Sequence, residues 1–200
     1  MKEIKIFALG SSITKGYANN DISFVDKLSE RRDQNISFKV IKEAINGTTL
    51  ANISKDSYLA RLLSFNKDTL KDMDFILVQL STNDLYLKNN DFDSSDEKST
   101  FGAISSLVNY VKKNFKAKIV FYTCFIKENK DYEKMILKLK EMSRTHDFKI
   151  FDFYFDKTLR NSEFDKLMVD PIHPNEKCYE YMSDIFVRYF KKSPQNSTIL

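Results

Sequence analysis

Five short apolar runs, at residues 4–9, 38–41, 75–80, 119–123 and 150–153, are separated by stretches in which apolar residues return every three or four positions. Runs of this length, rich in Ile, Val, Phe and Tyr, have the composition of buried strands, and the spacing between them is that of amphipathic helices. Helical spacing covers residues 22–32, 58–65, 101–115, 132–145 and 175–190, and in the last of these Tyr179, Met182, Phe186 and Tyr189 form one stripe. Strands that alternate with helices lie parallel, because each return to the same end of the sheet needs a crossover long enough to hold a helix. The predicted fold class is therefore α/β: a three-layer α/β/α sandwich around a central, mainly parallel five-stranded sheet. One domain over residues 1–190 accounts for the pattern, with residues 191–200 expected to be a flexible tail.

In such a sheet ligands bind beyond the carboxyl ends of the strands, so the residues that follow each run are the most informative. Gly10-Ser11-Ser12-Ile13-Thr14 follows the first run, where it opens a strand-to-loop turn, and Asn46-Gly47-Thr48-Thr49 follows the second. Ser81-Thr82-Asn83-Asp84 follows the third, and Asp170-Pro171-Ile172-His173-Pro174 follows the fifth after an intervening loop. A serine hydroxyl attacks efficiently at neutral pH only if a base takes its proton. The chain has two histidines. His146 ends a helix rich in Lys and Glu beside Asp147, the setting of a solvated surface residue. His173 precedes Pro174, which disfavours helical backbone at His173 and suits the first turn of the helix that follows. Asp170, three residues earlier, can reach the imidazole within one turn and fix its tautomer. Each feature has a plainer counterpart. Ser11 competes with Ser12 as nucleophile, Asn46-Gly47 is a common tight turn, Asn83 suits an Asx turn closing a strand, and Asp170 before Pro171 suits a turn.

Taken in order, the four blocks resemble those of the SGNH hydrolases, also called the GDSL esterase/lipase family, and they extend over nearly the whole chain. The resemblance implies a flavodoxin-like SGNH hydrolase fold and a serine esterase working through an acyl-serine intermediate. Small, mostly polar loops around the blocks and the lack of a long apolar insertion favour short acyl groups or acetylated carbohydrates over lipids as substrates. Carried over residue by residue, it implies Ser12 as nucleophile, His173 as base and Asp170 as the group that orients His173. It also implies an oxyanion hole built from the backbone N–H groups of Ser12 and Gly47 and the side-chain amide of Asn83. Alignment on Gly10 and Thr14 selects Ser12 over Ser11. Two positions depart from the family pattern, with Ser11 standing where Asp is usual and Ser81 where Gly is usual. An acyl transferase using the same triad, and a non-catalytic binding module on the same fold, would share these blocks.

Composition removes several other classes. The net charge of +4 comes from 32 basic residues interspersed among 28 acidic ones, with only six Arg. Nucleic-acid binding favours a clustered basic face, and no such stripe is present, so no nucleic-acid partner is expected. No apolar run approaches the roughly 20 residues needed to span a bilayer. The first residues lead directly into a strand without the apolar segment of a signal peptide, and the expectation is a cytoplasmic protein. Cys124 and Cys178 have no framework spacing and are expected to be buried free thiols. The Gly10 to Gly16 segment lacks the Gly-Lys-Ser/Thr ending of a phosphate-binding loop, and no G-x-S-x-G elbow occurs. The run Asp91-x-Asp93-x-Ser95 has Asp96 and Gly102 where a calcium loop needs Gly and Glu, and the histidines and cysteines are too dispersed for zinc. No metal or organic cofactor is expected, and the partner is a small-molecule ester. Tyr17, Tyr58, Arg61, Tyr86 and Phe92 are candidates for the pocket walls, with a solvated Arg61 as the ordinary alternative.

Overall fold

The computed structural model describes residues 2–31, 36–88, 90–157, 159 and 164–192, the last four of them by backbone alone. Five strands, β1 (Lys2–Gly10), β2 (Ile36–Ala44), β3 (Phe75–Gln79), β4 (Lys118–Thr123) and β5 (Lys149–Asp152), form one sheet in the order β2-β1-β3-β4-β5. Every pairing is parallel. The central strands carry apolar side chains to both faces: Phe7, Ala8 and Leu9 in β1 and Ile76, Leu77 and Val78 in β3 are all buried. That is why these runs are continuously apolar and do not alternate.

The connecting helices are α1 (Ser12–Lys15), α2 (Phe24–Glu30), α3 (Tyr58–Ser64), α4 (Lys67–Lys71), α5 (Thr100–Asn114), α6 (Lys130–Met142) and α7 (Glu176–Lys192). The β1-to-β2 connection runs opposite in direction to the other three. Right-handed crossovers therefore place α2 on one face and the helices of the later connections on the other. α7 packs on α2, and α3 on α5, in keeping with that division. The layer under α2 and α7 is aromatic: Phe24 lies 5.1 Å from Tyr122, 5.7 Å from Phe153 and 5.7 Å from Phe186, and Phe186 stacks on Phe151 at 4.6 Å. Of the stripe expected on the last helix, Tyr179, Met182 and Phe186 are buried, and the side chain of Tyr189 lies outside the described residues. Cys124 and Cys178 are both buried free thiols, each pushed up by burial to about 12.

Several boundaries differ from the sequence expectation for identifiable reasons. The apolar run at 38–41 is the middle of a nine-residue strand, because β2 pairs with β1 from Lys2↔Ile36 to Gly10↔Ala44. As an edge strand it carries polar residues such as Lys39, Lys42 and Glu43 that hide its length from an apolar pattern. The Ser12 segment, expected as a loop, is a single helical turn. α7 continues to Lys192, through the first two residues of the expected tail, and residues 193–200 lie outside the described residues. Among the described residues no helix is long and apolar enough to cross a membrane.

Candidate active site

The order β2-β1-β3 reverses direction between β1 and β3, and in open α/β sheets the crevice at such a switch point receives ligands. Ser12 follows β1 and Asn83 follows β3, so both border this crevice. Ser12 opens α1. Its Oγ lies 3.0 Å from Nε2 of His173, whose Nδ1 lies 2.7 Å from Oδ2 of Asp170. Asp170 reaches the ring as the spacing predicts: its Oδ1 accepts the N–H groups of Ile172 and His173, each at 2.8 Å, which curls the chain through Pro171 into one turn. His173 O accepts the Val169 N–H at 2.9 Å, and Lys127 N–H bonds Pro171 O at 2.8 Å, so the turn is anchored from outside as well.

Burial acts to raise the Asp170 carboxyl, but the hydrogen bonds from the His173 ring and from the two backbone N–H groups outweigh it and hold the group below its ordinary value. The carboxylate is therefore ionised at neutral pH, and it requires a proton on Nδ1. That leaves the Nε2 lone pair facing Ser12. A hydroxyl, imidazole and carboxylate in this order can transfer a proton away from the oxygen as it attacks, and stabilise the resulting imidazolium.

Gly47 is exposed at the tip of the turn after β2, with φ of 74°, and a Cβ built there would meet nothing within 4 Å. Glycine is favoured at this position by backbone conformation and not by crowding. Asn83 starts a 3₁₀ turn (Asn83–Tyr86), and one hydrogen of its side-chain amide binds Thr48 O at 2.8 Å. The second hydrogen remains for a ligand. The same bond ties the Asn83 loop to the Gly47 turn. The two departures from the family blocks are both taken up by hydrogen bonds. Ser81 Oγ accepts the Asn83 N–H at 3.1 Å and donates to Thr48 O at 3.4 Å, while Ser11 Oγ accepts from Gln79 Nε2 at 3.0 Å.

Arg61 is neither solvated nor a free wall of the pocket. Only 6% exposed, it donates from Nη2 to Gly10 O at 2.8 Å, from Nη1 to Glu43 O at 2.8 Å and from Nε to Asp56 O at 2.9 Å. Its Nη2 also reaches Thr48 Oγ1 at 3.3 Å. β1 and β2 end in this region, where the five-donor guanidinium adds a bond to Gly10 O, which also accepts the Ile45 N–H at 3.3 Å, and joins the Ser12 and Gly47 segments. Tyr58 is buried beneath it, with the Arg61 guanidinium 5.2 Å from its ring centre. Of the remaining wall candidates, Phe92 packs edge-on against Phe101 at 5.0 Å, whereas Tyr17 and Tyr86 are 56% and 73% exposed. The Tyr17 ring lies 5.1 Å from that of His173. His146 sits near the start of β5, at the edge of the sheet away from the Ser12 turn, with its Nδ1 3.0 Å from Thr145 Oγ1 and 3.3 Å from Met142 O.

Two residues that shape this region were not singled out from sequence. Asp84 is buried and accepts the N–H groups of Leu50 and Ala51 at 2.9 and 3.0 Å and Thr100 Oγ1 at 2.7 Å, fixing the path after Gly47. Burial nonetheless raises its carboxyl above the ordinary value. Gln79 is the other. The readable signal for it is a single polar side chain inside the apolar run at 75–80.

Residues 6–186 match the family model described as GDSL-like Lipase/Acylhydrolase. The chain belongs to that family. It is an SGNH serine hydrolase of the esterase-acylhydrolase group, and solved structures share its fold. A lipase/acylhydrolase from Enterococcus faecalis superposes with a TM-score of 0.70 at 18% identity, over 97% of this chain and 100% of the other. A two-domain esterase (CEX) active on acetylated mannans gives 0.69 at 16% identity, over 98% of this chain and 50% of that one. A family two carbohydrate esterase from Clostridium thermocellum, in complex with cellohexaose, gives 0.69 at 18% identity, over 94% and 64%. This SGNH hydrolase thus spans only half to two thirds of those two carbohydrate esterases. Among curated proteins none matches the sequence.

Proposed function

We propose that this SGNH hydrolase cleaves small carboxylic esters, acetyl esters of carbohydrates foremost, through an acyl intermediate on Ser12. The observation that carries the reading is the continuous chain from Ser12 Oγ to His173 Nε2 at 3.0 Å and from His173 Nδ1 to Asp170 at 2.7 Å. Ser12 Oγ bonds to the ester carbonyl carbon as its proton passes to Nε2, and the carbonyl π electrons become the charge on the oxygen. The backbone N–H groups of Ser12 and Gly47 and the free Asn83 amide hydrogen meet that charge. Collapse breaks the bond to the alcohol, which leaves with the proton from Nε2. Water then repeats the sequence, with His173 again as base, and frees the acid.

Removing the Asn83 amide is expected to lower kcat by about 10²-fold to 10³-fold, the usual effect of deleting one oxyanion donor. Asn83→Ala tests this with p-nitrophenyl acetate; kcat within about threefold of the parent would remove Asn83 from the oxyanion hole.

Three observations favour small acyl groups and sugar alcohols. A Cβ at Gly47 would meet nothing within 4 Å, so among the described residues no apolar side chain is packed against that position. Tyr17 offers an exposed aromatic face beside His173, which suits the apolar face of a sugar ring. Two of the similar folds belong to esterases described as active on acetylated mannans and as a carbohydrate esterase. A series of p-nitrophenyl esters tests the preference. The expectation is kcat/KM highest for acetate and at least about tenfold lower for octanoate, since an unburied chain gains none of the roughly 0.8 kcal/mol per methylene that an apolar channel would supply. A steady rise toward octanoate would contradict it.

A further inference from the structure

Ser12 is the first residue of α1, so its N–H and those of Ile13 and Thr14 have no acceptor within the helix. The residue before it, Ser11, holds the cap position, from which a serine hydroxyl ordinarily accepts the N–H of the second or third helical residue. Here Ser11 has φ −119° and ψ −143°, and its side chain makes no cap bond.

Gln79, the last residue of β3, fills that role from the neighbouring strand. Its Oε1 accepts the Thr14 N–H at 3.2 Å, the Ser11 N–H at 3.0 Å and the Thr14 hydroxyl at 2.6 Å, and its Nε2 donates to Ser11 Oγ at 3.0 Å. Tyr122 OH, 2.5 Å from Thr14 Oγ1, closes the cluster, and Ser11, Thr14, Gln79 and Tyr122 are all fully buried. The approach is close enough to require glycine at position 10, where a Cβ would fall 1.7 Å from Thr14 Oγ1 and 2.8 Å from Gln79 Oε1. One amide oxygen thus grips the backbone on both sides of Ser12, at Ser11 and at Thr14, and takes the N–H that an ordinary cap would take.

We propose that Gln79 is a positioning residue for the nucleophile: it caps the helical turn that carries Ser12 from an adjacent strand and fixes where the Ser12 hydroxyl and N–H stand relative to His173 and the substrate oxygen. The proposal rests on the reading of Ser12 as nucleophile. It differs from a purely structural role because a small displacement of a reacting atom can cost about 10²-fold in rate without unfolding the protein.

The test compares Gln79→Met, which keeps the bulk and removes both polar atoms, with Gln79→Glu, which keeps the acceptor. Steady-state kinetics on p-nitrophenyl acetate and the rate of fluorophosphonate labelling are measured beside thermal unfolding. The expected result is a kcat and labelling rate about 10-fold to 100-fold lower in Gln79→Met, KM within about threefold, and recovery of most of the loss in Gln79→Glu. If Gln79→Met does not fold, Thr14→Val removes the shortest bond to Oε1 and is expected to lower kcat several-fold at unchanged KM. Parental kcat in a folded Gln79→Met or, failing that, in Thr14→Val overturns the proposal. The parent protein serves as the control on the underlying reading: labelling of the parent at Ser12, with Gln79→Met equally fast, defeats the Gln79 proposal alone, whereas a label on another residue defeats both.

Discussion

Ser12→Ala is expected to lower kcat for p-nitrophenyl acetate by about 10⁴-fold or more while the protein stays folded, because removal of the nucleophile from a triad acting as a unit costs nearly as much as removing the whole triad. The structure gives reason to separate the two effects. The Ser12 hydroxyl has His173 Nε2 as its hydrogen-bond partner and takes no part in the Gln79 cluster, so an alanine leaves the Ser11 and Thr14 contacts in place. Alanine is also well suited to a first helical turn. Thermal unfolding within a few degrees of the parent, together with lost turnover, is the predicted pair of results. Turnover that survives the substitution would point to Ser11 or to a different chemistry.

Asp170→Asn carries the second large effect, expected at about 10³-fold to 10⁴-fold in kcat. The asparagine Oδ1 can still accept the N–H groups of Ile172 and His173, so the turn that Asp170 organises is retained. What changes is the group facing Nδ1. An amide NH₂ donates where the carboxylate accepted, and that contact then favours the tautomer with its proton on Nε2. The imidazole would present a hydrogen to Ser12 in place of a lone pair, and the base would be lost with the geometry intact. Kinetics at pH 7 with circular dichroism as a check on folding test this. A folded Asp170→Asn protein with kcat within about tenfold of the parent would mean that Asp170 shapes the loop and does not serve the chemistry.

The parts of this molecule legible in the sequence are those where one physical demand acts alone. Strands β1, β3 and β4 are buried on both faces over most of their length and are mainly apolar there, so their positions could be read directly. The Asp170 to His173 turn was legible because three residues and a following proline already constrain its path. β2 was read at less than half its length because an edge strand mixes lysine and glutamate with apolar residues, and its ends are set by pairing with β1. Arg61 was misjudged for a related reason: a helical arginine is usually solvated, and only the three-dimensional ending of β1 and β2 brings the carbonyls of Gly10 and Glu43 within its reach. Gln79 and Asp84 act across sequence separations of 65 and 33 residues, to Thr14 and Ala51, which no local pattern encodes. The family blocks locate the groups proposed to react, and these long-range bonds set where the turns that carry them stand.

The most direct test of the account is to treat the protein with a fluorophosphonate and locate the adduct by peptide mass spectrometry. The account predicts one adduct per chain, on Ser12, formed at a rate that falls with His173→Ala and absent from Ser12→Ala. An adduct on Ser11, or no adduct on a protein that is folded and hydrolyses p-nitrophenyl acetate, would contradict it.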